Sequence, residues 1–452
     1  MAHRRIIIFC TILLVAIVVL AFLFLPHKPP PQTVSFPSGS TVTFAGVSYG
    51  KVATPPTGFW KRRLAFLPDS LLRRLKIYPG PVLAMQSNHI IIWLFVTPPG
   101  SSDLFNPSAN PLSLVDENGV ESYAPNFMPY YFSSSTGPND PASQGLGLAA
   151  FPRRAKKFRL RIYSKDPQDK LTLRGEMTIP NPAFHDYPTW QPALLPATQT
   201  NGGVTITLTR LETGVRQFSS EPADTNEETW GNAYFTLKQA GKPCRDWTVD
   251  NIEFSDASGN GLVSAACTYD NVKPGQGVFR FRTPLWPAES AWKLKVILRR
   301  KPGAKFAPGE LWSITNLSLP ALNSTNSLNL KTNLAGLGFG LASLVDESGM
   351  LPPETRSNYY RVRLIFQVPT LPPDVRFDVL SVTGRDALTN AHSRGLPGAL
   401  GGTMGTTEFI YMLPALAKTL DVKVGAYHQL TAEFTVKPTV LSRKNSISPG
   451  AK

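Results

Sequence analysis

Apolar and polar residues alternate along most of this chain, and one long apolar run precedes the alternation. Residues 6–25 are apolar apart from Thr11. At 1.5 Å per residue such a run makes a helix of about 30 Å, the thickness of a bilayer's hydrocarbon core. It exceeds the roughly 7–15 apolar residues of a cleaved signal peptide, and no Ala-x-Ala site follows it. The pattern therefore predicts an uncleaved transmembrane helix over 6–25. Arg4 and Arg5 mark residues 1–5 as a cytoplasmic stub, because positive residues stay on the cytoplasmic side. Pro29, Pro30 and Pro31 make residues 26–31 a stiff spacer. The expected location is a single-pass membrane protein with its body outside the cytoplasm.

Beyond residue 32 the apolar period is 2, the period of strands with one wet face. Arg159, Arg161, Lys293, Lys295, Asp421 and Lys423 fall on the water side of such strands. One order of strands recurs three times. The first copy runs through residues 89–96, 112–119, 147–151 and 158–163, and closes with 171–180. The second runs through 233–238, 247–259, 277–281 and 292–297, and closes with 311–320. The third runs through 360–368, 375–384, 408–413 and 420–424, and closes with 430–438. A rival register would align the near-identical segments SLVDENG (113–119) and SLVDESG (343–349). It matches one strand, whereas the first register matches the whole order.

About seven short strands per copy, separated by turn signals, suit a two-sheet sandwich. Three in a row resemble the tandem immunoglobulin-like or fibronectin-III-like modules of envelope and cell-surface proteins. The resemblance is architectural, since the Cys…Trp…Cys arrangement of true immunoglobulin domains is missing. The predicted fold is all-β: a transmembrane helix followed by sandwich modules at 32–187, 196–320 and 328–438, with a polar tail at 439–452. The first module carries a short helical insertion at 59–77.

Charge adds a preference for partners. Lys and Arg number 46 against 31 Asp and Glu, a net charge of +15. Such a body attracts anionic lipid, acidic glycan or acidic protein; an extracytoplasmic location argues against nucleic acid. Two cysteines lie beyond the apolar run, Cys244 and Cys267. Outside the cytoplasm they are expected to form a disulfide, worth about 3 kcal/mol in the chain-entropy model.

Two segments depart from a plain sandwich. Trp60, Lys61, Arg62, Arg63, Arg73, Arg74 and Lys76 surround a short amphipathic pattern at Leu71, Leu72 and Leu75. It reads either as a helix lying on an anionic membrane surface or as one that plugs the end of the sandwich. The long loop at 122–145 carries Phe127, Tyr130, Tyr131 and Phe132. These aromatics are either partner-binding anchors or a lid over their own core.

Catalytic patterns are incomplete. Gly46, Ser48 and Gly50 satisfy G-x-S-x-G but stand within an alternating strand, where a nucleophile elbow cannot form. Gly398, Gly401 and Gly402 lack the ending of a phosphate loop. The six histidines are not paired at metal spacing, and the turns at Asp116 and Asp256 lack a calcium loop's ligand run. No catalytic, cofactor or metal residue is expected. The functional expectation is a non-enzymatic interaction or scaffold protein of the cell envelope with an envelope protein as partner. A carbohydrate-binding surface protein is the alternative, and a hydrolase the third reading.

Overall fold

The computed structural model describes residues 32–53, 83–97, 112–123, 127–128, 142–148, 150–165, 171–218, 226–263, 268–273, 275–282, 285–301, 303–386, 391–392, 398–400 and 405–441. Most of them are strand. The one α-helix among the described residues is α1 (Pro353–Arg356), close to a 3-10 turn at Ser348–Met350. None of the described helices is long and apolar enough to cross a membrane. This corrects the expected architecture, and with it the single-pass location and the membrane partner. Hydropathy and length say what a segment could cross, not what it forms. The stub, the apolar run at 6–25, the spacer and the insertion at 59–77 lie outside the described residues.

The chain divides into two compact units, Met1–His185 with Phe218–Glu227, and Asp186–Gln217 with Glu228–Lys452. The first unit holds β1 (Thr33–Ser35), β2 (Thr41–Ala53), β3 (Leu83–Thr97), β4 (Leu112–Val115), β5 (Glu121–Tyr123), β6 (Phe127–Met128), β7 (Ala142–Leu148), β8 (Lys157–Lys165) and β9 (Leu171–Pro180). They form a five-stranded sheet in the order β1-β2-β3-β7-β6 and a four-stranded sheet in the order β5-β4-β8-β9. Trp93, Ile90 and Leu94 from one sheet and Phe158, Leu160 and Ile179 from the other are fully buried. Gln32 clips the two sheets together: its amide donates to Thr178 O at 2.9 Å and accepts from Thr178 N.

The second unit begins with β10 (Ala197–Asn201), β11 (Val204–Phe218), β12 (Asn226–Gln239), β13 (Lys242–Pro243), β14 (Trp247–Asp256), β15 (Gly261–Val263), β16 (Thr268–Lys273), β17 (Gln276–Arg282) and β18 (Trp292–Arg300). It continues with β19 (Leu311–Ser318), β20 (Thr325–Leu334), β21 (Leu337–Asp346), β22 (Tyr359–Gln367), β23 (Val375–Arg385), β24 (Ala391–His392), β25 (Gly398–Leu400), β26 (Thr406–Pro414), β27 (Thr419–His428), β28 (Leu430–Val436) and β29 (Thr439–Leu441). The same two orders recur. Sheet β10-β11-β12-β17-β16 faces β15-β14-β18-β28 across one core, and β20-β21-β22-β26-β25 faces β19-β27-β23-β24 across another. Each sandwich thus has the A-B-E-D and C′-C-F-G strand order of a Greek-key sandwich.

The closing strands are exchanged. In the first sandwich β9 follows β8 and pairs with it. The strand that follows β18 is β19, yet β19 pairs with β27 of the third sandwich. The strand that follows β27 is β28, and β28 returns to pair with β18 of the second. The third sandwich is therefore inserted into the second, and the segments expected to close them (311–320 and 430–438) trade places. Both segments are apolar-rich strands of similar length, β19 with a bulge between Ile314 and Leu317, and the partner of each is chosen by tertiary packing. Ala432, Phe434 and Val436 sit in the second core, while Ile314 and Leu317 sit in the third.

The C-terminal strands fasten both sheets of the second sandwich. Lys295 stands opposite Glu433 across the β18–β28 pair. Asn201 donates to Thr431 O, and Ala193 N donates to Thr435 O. β29 adds in parallel to β11, so the start of the expected polar tail is a strand.

The twin segments occupy different places. SLVDENG ends β4 in a four-stranded sheet, and SLVDESG spans the end of β21 in a five-stranded one. What they share is a buried aspartate that ends a strand. Asp116 Oδ1 accepts from Asn118 N and Val120 N, both at 2.9 Å, and Asp346 Oδ1 accepts from Ser348 N and Ser348 Oγ. Asp256 does the same for Ser258 N and Asn260 N. Burial pushes the Asp256 carboxyl up, and these hydrogen bonds only partly oppose it. The repeated words are Asx turns, a local solution that recurs wherever a strand must reverse.

Candidate functional site

The residues chosen from sequence do not converge. Ser48 lies within β2 opposite Ile91 and accepts a hydrogen bond from Trp93 Nε1 at 2.8 Å. The register shifts at Phe44/Gly46 and Gly50/Val52 make its flanking glycines bulge positions rather than an elbow. Phe127 is in β6, paired with Leu148. Tyr130, Tyr131 and Phe132 lie outside the described residues, as do Trp60, Lys61, Arg62, Arg63, Arg73, Arg74 and Lys76. Cys244 is a buried thiol that donates to Gln239 Oε1 at 3.7 Å; Cys267, its expected disulfide partner, lies outside the described residues. His185 and Asp186 are exposed at the boundary between the units. Among the described residues no group of three His, Cys, Asp or Glu is placed to hold a metal ion.

Side chains do converge where the backbone crosses between the second and third sandwiches. Asp250 sits at a bulge in β14, between Val249 and Asn251. Arg376 on β23 pairs with it and also donates Nε to both oxygens of Asp378 at 2.8 Å. Arg299 reaches the other oxygen of Asp250 at 3.4 Å. Tyr427, near the end of β27, donates its hydroxyl to Asp378 Oδ2 at 2.6 Å and accepts from Arg300 N at 3.1 Å.

The ring of Tyr427 belongs by chain to the third sandwich and by packing to the second core. It meets Trp247 at 6.0 Å and Phe306 at 5.7 Å, both edge-on. The Arg300 guanidinium lies 4.8 Å from the Trp247 ring and pairs with Glu310 at 3.2 Å. Burial pushes the Tyr427 phenol up, and Asp378 pushes it further. Burial works against the Arg376 charge, but Asp378 and Asp250 more than offset it. The groups are fixed, neutral or paired, with no free acid or base in the network. Their arrangement suits a strut.

A second feature adjoins it. Gln239, Lys242, Pro243, Arg245, Asp246, Lys273 and Gln276 line an open groove of about 880 Å³. The two-residue turn at Ala240 and Gly241, both at positive φ, folds β13 back on β12, the usual geometry of a tight hairpin. The β16–β17 turn packs on that hairpin: Leu237 N donates to Gly275 O at 2.7 Å, and Cys244 N donates to Leu237 O at 2.9 Å. Gly275 has φ +72°, and a Cβ there would meet Leu237 O at 2.6 Å. Gly275→Ala is therefore expected to lower stability by about 1–3 kcal/mol, read as a shift of the urea midpoint. Lys301 N donates to Asp246 O at 2.8 Å, joining the groove wall to the chain that crosses into the third sandwich.

The fold and these two features define a class: an all-β protein of Greek-key sandwiches, two of them interlocked, with a structural junction and a basic groove. No protein-family model matches the sequence, and no curated protein is significantly similar to it.

Proposed function

We propose that the chain is a non-catalytic β-sandwich scaffold that presents binding surfaces in a fixed geometry. The reciprocal exchange of β19 and β28 carries this reading. Two sandwiches joined by one linker can swing about it; here the backbone crosses twice and each crossing ends in a strand of the other sandwich. The Asp250–Arg376–Asp378–Tyr427 network then braces the crossing. A fixed spacing between surfaces serves assembly, whereas an enzyme needs acids, bases or nucleophiles converging in a cleft. His89, His185 and His428 lie in three separate places, on β3, in the inter-unit linker and at the end of β27.

The test is crosslinking of the full-length protein in its own cells followed by mass spectrometry. Discrete partners, with crosslinks clustered on surface residues of the second unit, are the expected result. Purified protein that turns over ester, phosphate-ester or glycoside substrates, at a rate abolished by substituting one described residue, would overturn the reading.

A further inference from the structure

The groove at the end of the second sandwich has a charge pattern that the structure leaves unanswered. Lys242, Arg245 and Lys273 are exposed around it. Among the described residues none of the three has an ion-pair partner. Elsewhere in the second unit Arg299, Arg300, Arg361, Arg363, Arg376 and Arg385 each meet a carboxylate. Lys242 and Arg245 lie on one segment and Lys273 on another, and two tight turns hold the two segments together, so the proximity of the cations is built by the backbone. Unpaired cations held at one concave place raise the local concentration of anions.

We propose that this groove binds an acidic peptide segment of a partner protein. This inference rests on the interaction reading given above. The size of the groove, about 880 Å³, lies within the range of roughly 300–1,000 Å³ typical of sites for extended organic ligands. A lone inorganic anion is far smaller. The amides of Gln239 and Gln276 can donate to and accept from a peptide backbone. Pro243 and the lysine stems give the wall an apolar surface for side-chain contact. Asp246 would repel a uniformly anionic polymer but accepts from a peptide N–H. None of the described lining residues is aromatic, so they offer no stacking platform of the kind used for single-stranded nucleic acid.

Fluorescence anisotropy with full-length protein tests this. The probes are a labelled peptide of alternating glutamate and glycine, its glutamine counterpart, and a sulfated dextran oligosaccharide. The glutamate peptide is expected to bind, and to weaken steeply as salt is raised. The doubly charge-reversed variant Lys242→Glu/Lys273→Glu is expected to lose about tenfold or more in affinity, and Lys242→Arg/Lys273→Arg to retain it. Lys331→Glu/Lys423→Glu, which removes the same charge from the third sandwich, is expected to bind like the unaltered protein.

Equal binding of the glutamine peptide, or equal loss in the third-sandwich variant, would reduce the effect to net charge and overturn the proposal. Tighter binding of the sulfated oligosaccharide would reassign the groove to a glycan. Partner capture that survives Lys242→Glu/Lys273→Glu would sink the groove and leave the scaffold reading standing.

Discussion

Removal of residues 429–452 is expected to unfold the second sandwich and spare the third. On a linear reading of the chain these residues close the last module, so their loss should damage only that one. In the structure they supply β28 and β29, which complete both sheets of the second sandwich. The deletion takes Ala432, Phe434 and Val436 out of its core. Burial of a large apolar side chain is worth about 1.5–3 kcal/mol. The outward groups of β18 also lose their partners along seven paired positions. Against a domain stability of about 5–15 kcal/mol, that loss is decisive. Hydrogen exchange resolved by segment should show protection lost from β12, β14 and β18 while β22, β26 and β27 keep theirs. Loss confined to the third sandwich would contradict the exchange.

Tyr427→Ala is the substitution with the largest expected effect, a loss of about 3–5 kcal/mol, the cost of removing a large buried aromatic. The ring is fully buried between Trp247 and Phe306, and the hydroxyl serves Asp378 and Arg300 N. Tyr427→Phe separates the two contributions. It keeps the ring and strands a buried donor, at a cost of about 1–3 kcal/mol. Urea unfolding followed by tryptophan fluorescence gives both values. The junction reading adds an effect on cooperativity: one shared transition of the two sandwiches in the unaltered protein, and two separable transitions in Tyr427→Ala. A drop in stability with a single transition would make Tyr427 an ordinary core residue rather than a brace.

Local chemistry was legible in the sequence wherever it decides the structure by itself. Period-2 alternation placed strands such as 158–163, 292–297 and 420–424, which lie within β8, β18 and β27. The aspartates at 116 and 256 marked turns, because an Asx turn is made by neighbours in sequence. The pairing of β19 and β28 was not legible. Two edge strands of eight and seven residues, both rich in apolar and β-branched side chains, satisfy the same local rules. What separates them is which core their inward residues fill, a contact between residues more than a hundred positions apart.

The junction left a faint signal. Trp247, Val249, Ile252 and Phe254 break alternation at Asp250, which is what a bulge looks like in sequence. Nothing local pointed from Asp250 to Arg376. The groove's cations are divided between two segments about thirty residues apart, and only the turns that gather them could have been read in advance. The apolar run at 6–25 shows the opposite hazard. Its hydropathy is strong, yet it specifies a length and not a partner, and the location built on it did not carry over.

Zero-length carbodiimide crosslinking of the native protein, with the linked peptides identified by mass spectrometry, tests the strand exchange most directly. Lys293 Nζ lies 4.0 Å from Glu433 in the exchanged arrangement, with β18 beside β28. Were β28 paired with β27 instead, Glu433 would lie on the edge next to Lys423, where β19 now runs. The exchange predicts a link from Glu433 to Lys293. A link from Glu433 to Lys423, with none to Lys293, would show that each sandwich closes with its own strand and would remove the ground for the interlocked scaffold.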